Sequence, residues 1–123
     1  MPKSILIVDD SPQIRKLLRD YFDCTTEFEV CGEAVDGLDA IEKARELNPD
    51  LIILDASMPH MNGLEAAGIL RSMDGERPII LFTMHAEAIS NSEASAAGIT
   101  SVVSKMTSIS DLLKCVESLL RYA

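Results

Sequence analysis

Asp9, Asp10, Asp55, Thr83 and Lys105 are spread over almost the whole of a 123-residue chain, yet each stands at the end of a short apolar run. Asp9 and Asp10 follow SILIV, Asp55 follows LIIL, Thr83 follows IILF, and Lys105 follows SVVS. If those runs are parallel strands of one sheet, the five residues meet on one rim. Carboxylates within about 4 Å repel by roughly 4 kcal/mol per pair at an effective dielectric of 20, so such a cluster protonates or captures a cation. Oxygen ligands from few side chains suit Mg2+, or Mn2+ in its place, with coordination left over for water and phosphate oxygens. A metal ion, an ammonium and a hydroxyl together neutralise the equatorial oxygens of a phosphoryl group. Asp55 is the candidate nucleophile, since an aspartate can take a phosphoryl group covalently. Taken singly, Thr83 reads as a strand-end hydroxyl, Lys105 as a solvated charge, and Asp9 and Asp10 as turn and cap residues ahead of Pro12. Only a shared rim lifts them.

The elements that would build that rim alternate along the chain. Apolar runs at 4–8, 28–31, 51–54, 79–82 and 101–104 read as strands. Between them lie helical spacings. The first places Ile14, Leu17, Leu18, Tyr21 and Phe22 on one face, with Ser11 as cap and Pro12 in the first turn. A second, 37–47, turns Leu38, Ile41, Ala44 and Leu47 inward and stops before Pro49. A third, 64–73, presents Leu64, Ala67, Leu70 and Met73. The fourth, 87–97, is thin, with Ile89 as its one large apolar residue and Gly98 closing it. The last carries Ile109, Leu112, Leu113, Val116, Leu119 and Leu120. Five strands alternating with five helices predict a doubly wound α/β fold, a parallel sheet with helices on both faces. The first, third and fourth strands are apolar throughout and belong in the middle. The second alternates and the fifth is short and serine-flanked, so both read as edges. That ranking fits the flavodoxin-like order 2-1-3-4-5, whose ligands sit where the winding direction switches between strands 1 and 3.

The remaining features narrow the function class. A chain of this length fits one domain with a core of its own. A formal charge of −9 argues against nucleic acid as a direct ligand and suits a metal ion or a basic partner. No apolar run approaches the roughly 20 residues of a membrane span, and the N-terminus lacks the blocks of a secretion signal. These features predict a soluble cytoplasmic protein. Cys24, Cys31 and Cys115 are far apart and read as reduced thiols.

Taken in order, ILIVDD at 5–10, IILDASMPHMNG at 52–63, LFTMH at 81–85 and SVVSKM at 101–106 resemble a response regulator receiver domain over nearly the whole chain. The intervals of 45, 28 and 22 positions from Asp10 to Asp55, Thr83 and Lys105 carry the likeness. The segment 31–55 further resembles receivers found in DNA-binding regulators. The resemblance implies a bacterial two-component phosphorelay. In it Asp55 accepts phosphate from a sensor histidine kinase or phosphotransfer protein, and Asp9, Asp10, Asp55 and the Ser57 carbonyl hold Mg2+. It further implies that Thr83 and Lys105 contact the phosphoryl group. Thr83 and position 102 would couple phosphorylation to the face of helix 4, strand 5 and helix 5, a surface for a possible homodimer. Within LDASMPHMNG, Met58-Pro59 would stiffen the turn and Gly63 would permit a backbone shape other residues resist.

The chain departs from the family at several positions. Met106 replaces the usual proline after the lysine, which predicts a trans Lys105-Met106 bond. Val102 replaces a rotating Tyr or Phe. Ser57 and His85 occupy the places that influence phosphoryl loss in this family, and a solvent-exposed loop is the alternative for His85. His60 is assigned to the turn surface. Met58, Met61, Met73, Met84 and Met106 read as flexible filler around the rim. A haloacid dehalogenase-type phosphatase would need a second acid two residues after Asp55, where Ser57 stands. A flavodoxin would need a neutral phosphate loop where DDSPQI stands. A pseudo-receiver with vestigial phosphorylation is the remaining alternative, favoured by Val102 and Met106. No effector domain is expected within 1–123.

Overall fold

The computed structural model describes residues 2–58 and 60–121, with the side chains of Thr25 and Arg121 left aside; Pro59, expected to stiffen its turn, lies outside the described residues. The chain runs β1 (Ser4–Val8), α1 (Pro12–Thr25), β2 (Glu29–Ala34), α2 (Gly37–Leu47), β3 (Leu51–Leu54), α3 (Gly63–Met73), β4 (Ile79–Thr83), α4 (Asn91–Ala97), β5 (Ser101–Ser104) and α5 (Ile109–Arg121). A single 3-10 turn, Ala86–Ala88, precedes α4. The sheet is parallel throughout, in the order β2-β1-β3-β4-β5.

The apolar strand runs divide by the two-residue period of a strand. Leu6, Val8, Ile52, Leu54, Ile79 and Leu81 face α2, α3 and α4, whereas Ile5, Ile7, Leu51, Ile53, Ile80 and Phe82 face α1 and α5. β1, β3 and β4 are therefore apolar at every position because they are covered on both faces. Fully burying one such side chain stabilises the fold by about 1.5–3 kcal/mol, so these three strands anchor whatever follows them.

The two helical layers pack differently. On the α1/α5 side the contacts come from large residues, among them Leu18, Phe22, Leu112, Val116 and Leu120. On the other side they come mainly from Ala40, Ala44, Ala66, Ala67 and Ala94, with Leu70. Small residues let α2 and α3 lie close to the sheet and turn the flanking large ones outward. Leu38 and Met73, expected to point inward, are exposed for this reason; Leu47, 38% exposed, still lays its Cδ1 over Gly32 of β2. Leu17 is 55% exposed as well, because α1 buries the row Ile14, Leu18, Phe22 and position 17 is a third of a turn away.

Ser11 caps α1, with Pro12 in its first turn as expected. Asp36, Asn62 and Ser90 cap α2, α3 and α4 in the same way. Gly98 closes α4 with φ +89°. The fourth helix is shorter than predicted: it opens after Ser90, and Ile89 belongs to the connection ahead of it.

Candidate functional site

The strand ladder continues into the residues that make the rim. Asp9 N–H donates to Ala34 O at 3.1 Å, Asp55 N–H to Val8 O at 2.9 Å and Lys105 N–H to Thr83 O at 2.8 Å. Each of those backbones is thus held by a neighbouring strand just past the last core side chain. Asp9, Asp55 and Thr83 are only 2%, 6% and 2% exposed, while Asp10 is open to solvent.

Lys105 ties the rim together. Its Nζ lies 2.7 Å from Asp9 Oδ2 and 3.3 Å from Asp55 Oδ1, and 5.7 Å from the centre of the Phe82 ring. Asp9, Asp10 and Asp55 each offer a carboxylate oxygen within 4.8 Å of the others. Three acids against one ammonium leave the rim with surplus negative charge. Burial, then the neighbouring Asp9, push the Asp55 carboxyl above its ordinary value, against the pull of Lys105 and the Ser57 N–H. Ser57 N–H reaches Asp55 Oδ1 at 3.4 Å. This donor set fits a hard divalent ion: its acids are all oxygen ligands, their mutual repulsion is unrelieved by one lysine, and one of them faces water.

Beside the acids lies an open cleft of about 570 Å³ lined by Asp10, Ala56, Ser57, Met58, Asn62 and Leu64. Its far wall is the returning chain. Gly63 N–H donates to Ala56 O at 2.9 Å, and a Cβ on Gly63 would press on the Asp55 carbonyl oxygen and stand 2.8 Å from Ala56 Cα. Gly63 is needed for that close approach and not, as expected, for its backbone angles. The left-handed conformation falls instead on His60, at φ +70°. The Asn62–Glu65 capping box then starts α3.

Thr83 Oγ1 accepts from His85 N–H at 3.1 Å, which leaves its own proton to donate elsewhere. His85 is exposed, as the loop alternative had it. Every described peptide bond is trans, Lys105-Met106 included, and Met106 is 71% exposed. Val102 is half-buried and packs against the core on the α2–α4 side. Met73 sits at the C-terminal end of α3, which runs away from the rim, so it does not belong to the methionines around the site.

Two features of the surroundings escape sequence reasoning. Arg15 Nη1 donates to the main-chain carbonyl of Asp9 at 2.7 Å. His60 Nδ1 lies 3.3 Å from Asp36 Oδ2, joining the turn after Asp55 to the start of α2. The Arg15 contact leaves a faint trace, a basic residue one turn into α1 beside the inward row. Its acceptor is a backbone atom, which no side-chain pattern displays.

Comparison with known proteins bears on the family and the fold. Residues 5–117 match the family model of the response regulator receiver domain. The chain is 35% identical to the chemotaxis protein CheY of Halobacterium salinarum, over 92% of this chain and 98% of that protein. It is 36% identical to a protein-glutamate methylesterase/protein-glutamine glutaminase of Nocardioides sp., covering 92% of this chain but only 31% of the relative. The chain therefore spans about a third of that methylesterase. Among solved structures, the response regulator TrrA of Thermotoga maritima in complex with Mg2+-BeF superposes with a TM-score of 0.87 at 35% identity, over 96% of this chain and 99% of that one. Among the described residues no helix is long and apolar enough to cross a membrane.

Proposed function

This chain belongs to the response regulator receiver domain family of two-component systems, and from that premise we propose that it is a phosphoacceptor whose single acceptor is Asp55. The observation that carries the reading is Lys105, whose ammonium stands 2.7 Å from Asp9 and 3.3 Å from Asp55 at the end of a fully buried strand. A divalent ion, Mg2+ or Mn2+, held by Asp9, Asp10, Asp55 and the Ser57 carbonyl would supply positive charge against the acids and the incoming phosphoryl oxygens.

The chain's own residues account for the rest. An ionised Asp55 oxygen forms the new O–P bond as the N–P bond of a phosphohistidine breaks, and the imidazole leaves with that electron pair. β3 keeps the nucleophile in place, so little ordering remains for the reaction. Lys105 turns part of its hydrogen bonding from the acids to the phosphoryl oxygens, and Thr83 donates its free hydroxyl proton. Ser57, where a phosphatase needs its acid, offers no carboxyl group, which suits one slow hydrolysis and not repeated turnover.

The donor is a sensor histidine kinase or phosphotransfer protein, and the switched surface is the α4–β5–α5 face. That face is also where a homodimer would form. Val102 is half-buried against the core and cannot swing as an aromatic does, so readout passes through Thr83, His85 and the exposed Met106. A pseudo-receiver that binds partners without phosphorylation is the second reading, supported by Val102 and Met106. Incubation with a small acyl phosphate and Mg2+, followed by intact mass spectrometry, separates the two. One phosphoryl group on the wild type and none on Asp55→Asn is expected; an unmodified wild type beside a labelled control receiver favours the pseudo-receiver.

A further inference from the structure

We propose that Arg15 is a positioning residue for the metal-binding acids, acting through the main-chain carbonyl of Asp9. The inference rests on the phosphoacceptor reading above and deepens it.

Arg15 stands one turn into α1, where its own N–H closes a helical bond to Ser11 O at 3.1 Å. Its guanidinium is spread between two acceptors. Nη1 donates to Asp9 O at 2.7 Å and Nε to Glu33 Oε1 at 3.0 Å. The side chain is 15% exposed and that of Glu33 31%, so both bonds are partly buried. Glu33 is itself fixed from the far side by Arg19 Nε at 2.6 Å, and its carbonyl by Lys43 Nζ at 3.0 Å. Burial pushes the Glu33 carboxyl up, but the hydrogen bonds and charges of Arg19 and Arg15 outweigh it and hold the group below its usual value. The Glu33 carboxylate thus holds Arg15 by Nε and leaves Nη1 turned toward Asp9.

The atom it holds matters because a peptide unit is planar. The Asp9 carbonyl belongs to the peptide joining Asp9 to Asp10, so fixing that oxygen fixes the N–H and Cα of Asp10. The other polar atoms of Asp9 are already bound: N–H to Ala34 O, Oδ1 by Ser11 N–H at 2.9 Å and Oδ2 by Lys105. Asp10 is exposed, so the position of its Cα sets the reach of its carboxylate toward the other two acids. On this proposal Arg15 is the side chain that holds that Cα.

The test titrates Mg2+ into the whole chain by calorimetry, and follows acyl-phosphate labelling against Mg2+ concentration. Arg15→Met keeps the aliphatic stem and removes both donors. By analogy with outer partners of metal ligands, it should weaken Mg2+ binding about tenfold. The labelling rate at saturating Mg2+ should stay close to wild type, and metal-free melting should not explain the loss. Arg15→Lys retains one donor and should recover most of the affinity. Lys16→Met removes an equal charge from the solvent-facing side of α1, where it pairs with Asp20, and should bind Mg2+ as wild type does. Unchanged affinity in Arg15→Met, or an equal loss in Lys16→Met, overturns the proposal. A wild-type chain that binds no Mg2+ overturns the phosphoacceptor reading and this inference with it.

Discussion

The two edges of the sheet treat their acids in opposite ways. At the carboxyl-terminal edge Asp9, Asp10 and Asp55 crowd together, with one ammonium against Asp9 and Asp55, and Asp55 is pushed above its ordinary pKa. At the amino-terminal edge the acids serve the chain itself. Asp50 accepts from Ser4 N–H at 2.7 Å and from its hydroxyl at 3.2 Å, tying β1 to the start of β3. Asp74 accepts from the Glu76 and Arg77 N–H groups, which hold its carboxyl below the usual range. Arg77, nearly buried, donates to Asn48 Oδ1 at 2.8 Å. One edge spends its carboxylates on closing turns, and the other holds them in surplus over a buried base of Ile, Leu and Val. A charge surplus that the fold leaves unneutralised marks where a cation and a phosphoryl group are expected.

Metal should act on one edge only. At about 100 times its dissociation constant, Mg2+ should stabilise the protein by about 2.7 kcal/mol. Asp10→Ala should abolish the gain in thermal melts, and Asp50→Ala should leave it intact. A gain that survives Asp10→Ala moves the site elsewhere. Next in size is Gly63→Ala, which forces a methyl group against the Asp55 carbonyl. Overpacking of this kind costs about 1–3 kcal/mol, and because the displaced chain carries the Asp55–Ser57 turn, phosphoryl uptake should fall with stability. Asp50→Ala should cost about 1–2 kcal/mol through two lost hydrogen bonds to a charged acceptor, with uptake unchanged.

The smallest effect separates the edges by pH. The folded pKa of Asp55 lies above its unfolded value, so between the two the folded chain binds more protons. Its ionisation penalty is complete above the folded pKa and disappears as pH falls through it. Metal-free Asp55→Asn should therefore melt above wild type at neutral pH, with the gap closing on acidification. The lowered carboxyl of Asp74 behaves the other way: its stabilisation is present at neutral pH and lost as pH falls through the folded pKa. Parallel pH profiles of wild type and Asp55→Asn would remove the electrostatic contrast between the edges.

The rim was legible because strand ends are legible. Runs such as LIIL stop abruptly, and whatever follows each of them in a parallel sheet is carried to the same edge. Sheet order followed from which strands are apolar on both faces. Helix faces read less well: Leu38 and Met73 fit an inward stripe by spacing, yet alanines occupy the contact, and close packing expels the larger residues. Gly63 was found for the wrong reason, since a sequence shows a missing Cβ but not the carbonyl that needs the room. Arg15 stayed hidden because its partners, Asp9 O and Glu33, come together only when β2 pairs with β1.

The central claim is that charge gathered beyond the β-strands lets Asp55 be phosphorylated. Its most direct test is to treat the chain with a small acyl phosphate, trap any aspartyl phosphate by reduction, and map it by tandem mass spectrometry with and without Mg2+. The account predicts one modified residue, Asp55, and only when the metal is present. Modification of another residue, equal labelling in a chelator, or none at all would contradict it.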